Sequence, residues 1–370
     1  MSVKSDLALI DSPSALKTAA KSIKESHWIA FDLEADSLHS YPERVCLIQI
    51  GSQSGQYLID TITLKDLEPL ISTIKSKELI IHGCDYDLKL LAKQFEFTPK
   101  KIFDTKEAAR LIGMRQFGLA ALTKEYLGVE LEKSGQKANW SQRPLKPALI
   151  EYAQKDVLYL HELFNILGEK LKALGRYHWQ EQTCERLIKI FSKVDQPDPD
   201  LVWRIKGAQK LNRLGLAVLK NIWSWREEEA LRLNRPPFFV LPHKKVIEIA
   251  EGASNRDNYQ QLIPKRFPAN RKSSLAAVVQ EAVQSSVSSR PKRISNSRKR
   301  NNAPSVDKVH TFQELRNHRD KLAEELDLDP TVIASRSDLE IIASNWAEGS
   351  QKVMPWQWEL LSKLGPSRKS

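Results

Sequence analysis

Three cysteines in 370 residues, Cys46, Cys84 and Cys184, are too few and too far apart for a disulfide framework. With no CxxC pair among them they form no zinc ribbon either, and they read as small core residues. No apolar run approaches the ~20 residues needed to span a bilayer, so no membrane association of that kind is expected. Met1–Lys17 holds no basic stretch leading into an apolar signal core, which makes the cytoplasm the expected compartment. Acidic residues are also in deficit: 57 Lys and Arg against 46 Asp and Glu leave a net charge of +11 and a pI of about 9.4. That balance favours a polyanionic partner, nucleic acid or an anionic membrane surface. Hydrophobic content of 41% and charged content of 28% are ordinary for a soluble globular protein, and the length allows two or three domains.

The chain is organised around Trp28-Ile29-Ala30-Phe31-Asp32-Leu33-Glu34-Ala35-Asp36. Ile29 and Phe31 suit a buried strand, and alternation along a strand puts Asp32 and Glu34 on one face. Like charges so close repel each other, and burying them unpaired costs several kcal/mol. Either a divalent cation sits between them, since hard cations prefer carboxylate oxygen, or the strand runs out into a solvated acidic turn. Around this stretch lie further strands at Leu7–Ile10, Arg44–Ile50, Gln56–Asp60, Glu78–His82 and Ile102–Asp104. Helices fall between them, the first capped by Ser12 with Pro13 at its first position. Strands as a meander, then strand and helix alternating, make an α/β layer on a mixed sheet. From Pro147 to about Ala173 the period is helical, and Trp179–Val194 is a second helical run. The double-proline segment at 195–200 marks a domain boundary, beyond which the chain reads as all helical.

Other polar residues stand at telling intervals. His82-Gly83-Cys84-Asp85-Tyr86-Asp87 follows a strand and opens a helix, where either acid can favour the N-terminus. Tyr152 and Asp156, four apart on a helix, lie about 40° apart around its axis, beside the apolar stripe. Acid-x-acid ending a strand, His-Gly-x-x-x-Asp after another and Tyr-x-x-x-Asp on a later helix together resemble the DEDD exonuclease superfamily, and the tyrosine places the resemblance in its DEDDy branch. The longer stretches FDLEADSLHSYPERVCLIQI, IFDTKEAARLIG, GLAALTKEYLGVEL and WSQRPLKPALIEYAQKDVLYL strengthen it, so that it covers roughly residues 7–171. KLNRLGLAVLKNIWSWREEEALRLNRPPFFVL is similar to the HRDC domain, and 312–364 resembles a weaker second copy.

The resemblance implies a ribonuclease H-like mixed-sheet exonuclease domain followed by all-helical HRDC-type domains. The expected bounds are 1–195 for the exonuclease, 205–288 for the first HRDC domain, 289–306 for a basic linker and 307–367 for the second. A chain ending near Pro199 is expected to fold alone. The resemblance also implies Asp32, Glu34, Asp87 and Asp156 as metal-binding acids, with Asp87 chosen over Asp85 by the family register, and Tyr152 as the fifth catalytic residue. These would support phosphodiester hydrolysis with two ions, Mg²⁺ or Mn²⁺, about 4 Å apart. Asp32 would bridge both, Glu34 and Asp156 would hold the first, and Asp87 would support the second. Tyr152, a poor base at pH 7, would orient the water or the scissile phosphate.

The expected function is 3′→5′ removal of nucleotides from RNA with a free 3′ end, tRNA precursors in particular, with no stable protein partner. A DNA exonuclease of the same superfamily and a non-catalytic RNA-binding scaffold are the rivals. Arg143 and Lys155 are candidate phosphate contacts, and Phe117 and Trp140 either stack a base or pack the core. Lys265, Arg266, Arg271, Lys272, Lys292 and Arg293 belong to a stretch, 265–300, in which Glu281 is the only acid. That stretch reads as a nucleic-acid contact or as a solvated tail.

Overall fold

The computed structural model describes residues 7–132, 135–194, 198–255, 257–292 and 311–364. β1 (Leu7–Ile10) and α1 (Pro13–Glu25) precede the acidic stretch, which forms β2 (Ile29–Ala35). Then come β3 (Val45–Ser52), β4 (Gly55–Asp60), α2 (Glu68–Ile74), β5 (Glu78–Ile81), α3 (Asp85–Phe95) and β6 (Lys101–Asp104). The Ser12 hydroxyl accepts from the Ala15 N–H with Pro13 at the first helical position, so α1 starts where its cap places it. Strand order is β1-β4-β3-β2-β5-β6, with β2 antiparallel to β3 and parallel to β5. The acidic strand is thus an interior strand of a mixed sheet.

Alternation along β2 decides what each face meets. Phe31 and Leu33 enter a core with Leu16, Ile23, Leu88 and Leu91, whereas Ala30 faces the other way onto Ile80, Val157 and Leu160. Asp32 and Glu34 are in phase with Ala30 and share that second face. Over it pass α6 (Pro147–Leu158) and α7 (Leu160–Ala173), preceded in the chain by α4 (Thr105–Leu111) and α5 (Leu119–Leu127) and followed by α8 (Tyr177–Phe191). Gly51, paired with Ala30, allows the close approach of α6. A Cβ there would lie 3.2 Å from the Val157 carbonyl oxygen and 3.3 Å from the Ala30 Cβ. The helical period of 147–173 is divided at Tyr159, whose φ of −102° and ψ of −2° end α6. The apolar stripe continues through Ala153, Val157, Leu160 and Leu163, so periodicity alone does not reveal the break.

The chain forms two compact units. One comprises α9 (Arg213–Leu233), α10 (Pro237–Val240), α11 (His243–Ser254) and α12 (Ala269–Gln284) around a core of Trp203, Leu219, Ile222, Trp225, Ile249 and Val279. It also takes in residues 36–44, the connection between β2 and β3. The Tyr41 hydroxyl donates to Glu227, and the Tyr41 N–H donates to the Asn234 side-chain oxygen at 3.1 Å.

The other unit joins the sheet to the C-terminal helices α13 (Phe312–Glu325), α14 (Pro330–Ile333), α15 (Arg336–Ser344), α16 (Trp346–Lys352) and α17 (Pro355–Leu361). The segment expected as a second HRDC-like domain, 307–367, thus falls in the same unit as the sheet. Leu315, Leu328, Ile333, Leu339, Ile342, Trp356 and Leu360 share one core with Phe103, Leu111, Leu163, Leu167, Leu171 and Trp179. Arg176, buried, donates to the Leu111 carbonyl at 2.8 Å and to the Leu326 carbonyl at 2.7 Å, linking the two halves of that core. Among the described residues no helix is long and apolar enough to cross a membrane.

Candidate active site

The face of β2 that carries Ala30 and the helix α6 lying over it build the site together. Asp32 and Glu34 project from the strand and Asp156 from α6, and their nearest carboxylate oxygens all lie within 4.8 Å of one another. They line a cleft of about 500 Å³ that also takes in His82, Gly118, Glu132, Gln136 and Tyr152. Among the described residues lining it there is no lysine or arginine to offset the negative charge. Burial pushes the Asp32 carboxyl up to about 7. Burial followed by the charges of Asp32, Asp156 and Asp87 pushes Glu34 up to about 10, and burial followed by Asp32 takes Asp156 to about 8. Carboxylates that hold protons for want of a counter-charge form a hard oxygen donor set suited to divalent cations.

Asp87 is the fourth acid. It is buried on the first turn of α3, and burial followed by the charge of Asp32 raises it well above the usual carboxylate range. Asp85, two residues earlier, is exposed, so the helix turns Asp87 and not Asp85 inward. What fixes that turn is Asp104, at the end of β6. Its carboxylate accepts from the N–H groups of Gly83 at 3.0 Å and Cys84 at 2.8 Å, and it also caps α4 through the Lys106 and Glu107 N–H groups. Asp-Thr at a strand-to-helix junction is an N-cap signature, the one sequence signal that marks this residue.

Tyr152, one turn before Asp156, has its phenol raised by burial and then by the charge of Asp156. Its ring packs near Trp140, with centroids 6.0 Å apart. Gly135 lies against the same ring so closely that a Cβ there would run into it. Trp140 is fully buried in the cluster with Cys46, Leu47 and Leu58, which makes it core. Phe117 is half-buried under the Arg110 guanidinium, 5.7 Å from its ring centroid.

A profile described as 3′-5′ exonuclease matches residues 7–172, and one described as HRDC domain matches residues 215–257. Ribonuclease D of Shewanella sp. (strain ANA-3) is 31% identical over 246 residues, covering 65% of this chain and 63% of that protein. An Exosome complex component 10 homolog of Drosophila melanogaster is 29% identical over 260 residues, 67% of this chain and 29% of its own length. The crystal structure of Escherichia coli RNase D, described as an exoribonuclease involved in structured RNA processing, aligns with a TM-score of 0.73 at 22% identity. It covers 98% of this chain and 100% of that one, which shows a shared fold. The chain carries a 3′-5′ exonuclease domain over residues 7–172 and an HRDC domain over residues 215–257, and it is similar to ribonuclease D proteins. It spans less than two thirds of the length of these two curated relatives. The 3′-5′ exonuclease family depends on divalent metal, and Asp32, Glu34 and Asp156 form an acidic cluster that could hold such an ion.

The cationic candidates separate by their partners. Arg143 is corrected to a structural residue: its guanidinium donates to both Asp60 carboxylate oxygens at 2.6 and 2.7 Å and to the carbonyls of Trp140, Gln142 and Cys46. All five of its donors are thereby used. Arg271 is likewise tied to Glu229 at 3.0 Å and lies over Phe267. Lys155 pairs with Glu151 on the exposed side of α6 at 2.7 Å. Lys265 and Lys272 line a second hollow of about 650 Å³ beside Gln260 and Ser273, and Arg266 and Lys292 are exposed. Arg293 and the linker beyond it lie outside the described residues.

The raised acids have a measurable consequence. The folded chain holds these protons more tightly than the unfolded one, so metal-free stability falls as pH rises from about 4, where free carboxyls titrate, through folded values of about 7, 8 and 10. A divalent cation replaces those protons. Mn²⁺ is therefore expected to raise the melting temperature more at pH 8 than at pH 5, by the equivalent of about 3 kcal/mol at a hundredfold excess over Kd. Melts in EDTA and in Mn²⁺ at both pH values check this, and equal shifts would remove the acids from the binding site.

Proposed function

We propose that this protein is a cytoplasmic, divalent-metal-dependent 3′→5′ exoribonuclease acting on RNA with a free 3′ end, tRNA precursors among its substrates. The observation that carries this reading is the meeting of Asp32, Glu34 and Asp156 in an open cleft with the Tyr152 hydroxyl beside them. Asp32 would bridge two ions, Mg²⁺ or Mn²⁺, with Glu34 and Asp156 on one and Asp87 supporting the other. When bound, such ions lower the pKa of water and offset charge on a leaving oxygen. In each turnover water adds to the phosphorus of the last phosphodiester, the bond to the 3′ oxygen breaks, and a nucleoside 5′-monophosphate leaves. The raised phenol of Tyr152 keeps its proton near neutral pH. It therefore serves by donating a hydrogen bond that orients the reacting phosphate rather than as a base.

The test is a 5′-labelled single-stranded RNA incubated with the full chain in Mn²⁺. A ladder shortening one nucleotide at a time from the 3′ end, abolished by EDTA, is expected. Binding without nucleotide release would favour the scaffold reading. Tyr152→Phe removes one hydrogen bond and no carboxylate, so kcat is expected to fall by about 10²–10³-fold. Parental activity would make Tyr152 a packing residue only.

Lys265, Arg266, Lys272 and Lys292 are proposed to contact RNA phosphates. Lys265→Ala with Lys272→Ala should flatten the slope of log K against log salt by roughly 0.7 for each phosphate of a single strand that is no longer neutralised. An unchanged slope would return them to a solubilising surface.

A further inference from the structure

We infer that His82 is a specificity-determining residue whose Nε2 accepts a hydrogen bond from a ribose hydroxyl of the 3′-terminal nucleotide. The inference rests on the nuclease reading above and adds to it the group that distinguishes RNA from DNA at the terminal sugar. His82 lines the same cleft as Asp32, Glu34 and Asp156. Its Nδ1 lies 2.9 Å from the Thr105 hydroxyl oxygen, and Thr105 is fully buried. The Thr105 hydroxyl has one proton to give and also lies 3.2 Å from the Ile81 carbonyl, which can only accept, so both contacts are hydrogen bonds only when that proton goes to Ile81. Its oxygen is then left to accept, so Nδ1 carries the ring proton and Nε2 carries a lone pair.

That lone pair has no hydrogen-bond partner among the described residues, and Nε2 is not among the buried unsatisfied atoms, so it opens to the cleft. Burial holds the imidazole down at about 4, and at neutral pH it remains an acceptor. The ring is also fixed in place. Gly83, at a φ of +78°, turns the chain directly after it, and the Gly83 and Cys84 N–H groups are clamped on Asp104.

A fixed neutral acceptor beside phosphodiester chemistry calls for a donor that is present in every substrate. Base N–H groups change position from nucleotide to nucleotide. The ribose hydroxyls are the donors that stay in one place whatever the base, and the 2′-hydroxyl is the one that DNA lacks. A site built around such a hydrogen bond rejects the analogue without it, because the acceptor is left unpaired.

The experiment uses the full chain in Mn²⁺ with three single strands identical except for the last nucleotide, which is ribo, 2′-deoxy or 3′-deoxy. The parent is expected to prefer the ribo terminus over one deoxy terminus by roughly 10- to 10²-fold in kcat/KM, and the disfavoured analogue identifies the hydroxyl. In His82→Asn the amide can still donate to Thr105 but leaves nothing at the Nε2 position, so that ratio should fall towards one. A parent that cleaves all three strands equally, or a variant that keeps the parental ratio, overturns the role of His82 and leaves the nuclease reading standing. A parent that cleaves none of them overturns the nuclease reading instead. Should the variant fail to fold, ¹⁵N spectroscopy of the parent imidazole decides. A protonated Nδ1 with a bare Nε2 is expected, and a protonated Nε2 overturns the inference.

Discussion

Asp32→Asn is expected to lower kcat/KM by at least about 10³-fold, the equivalent of roughly 4 kcal/mol, and at the same time to raise the melting temperature in EDTA at pH 8. The two effects have one cause. Asp32 lies in the middle of the acidic cluster, and its charge raises Glu34, Asp87 and Asp156 together. An amide of nearly the same shape removes that charge, so the metal-free protein loses like-charge repulsion and keeps its packing. The amide is also a poor bridging ligand for a hard cation, so the relief comes at the expense of metal affinity. Turnover assays in Mn²⁺ paired with melts in EDTA read both effects. Lost activity with a lowered melting temperature would make Asp32 a structural acid. Parental turnover would remove it from the metal site.

What the sequence shows and what it hides follow from the range of each interaction. Asp32 and Glu34 were legible as a pair because a strand has a period of two, and Tyr152 with Asp156 because a helix has 3.6. Their convergence depends on Ala30, Gly51 and Val157 letting α6 lie close over the sheet, which no local pattern announces. Arg143 shows the same limit from the other side. In sequence it is a cation near the site, and only folding reveals that Asp60, 83 residues away, has taken its guanidinium. Asp104 reads in the sequence as the end of a strand, and its clamp on Gly83 and Cys84 stays hidden there because those hydrogen bonds cross from β6 to the turn after β5. The C-terminal helices announce themselves by capping boxes at Thr311/Glu314 and Ser335/Asp338 and by apolar faces. An apolar face says that a helix must be covered and leaves open by what.

Here the cover is the exonuclease core itself, and a chain ending at Pro199 is therefore expected to be insoluble rather than active. Trp179 would lose the ring stacked on it, and the core it shares with Phe103, Leu111, Leu163, Leu167 and Leu171 would lose every side chain supplied by 312–364. Re-exposing a large apolar side chain costs about 1.5–3 kcal/mol when complete, so partial exposure of six rivals the 5–15 kcal/mol that typically holds a domain together. Arg176 would be left with its Leu326 carbonyl partner gone. Gly113, at a φ of +94° and so close to Asp327 that a Cβ would strike its carbonyl oxygen, would face a gap. A milder probe separates this packing from a general need for length. Trp356 is buried, with its ring stacked on Trp179 at a centroid distance of 4.5 Å. Trp356→Ala in the full chain should cost about 3–5 kcal/mol in urea unfolding, whereas Trp358→Ala, on a half-buried side chain of the same helix, should cost less. Because Gly118 and Leu119, at the start of α5, line the cleft that holds Asp32, Glu34 and Asp156, and the Met114 to Leu127 region packs on the same core, the Trp356 variant should also lose activity at temperatures where it is still folded. A truncated chain that stays monomeric, melts cooperatively and releases nucleotides at the parental rate would show that the C-terminal helices merely rest on the catalytic unit.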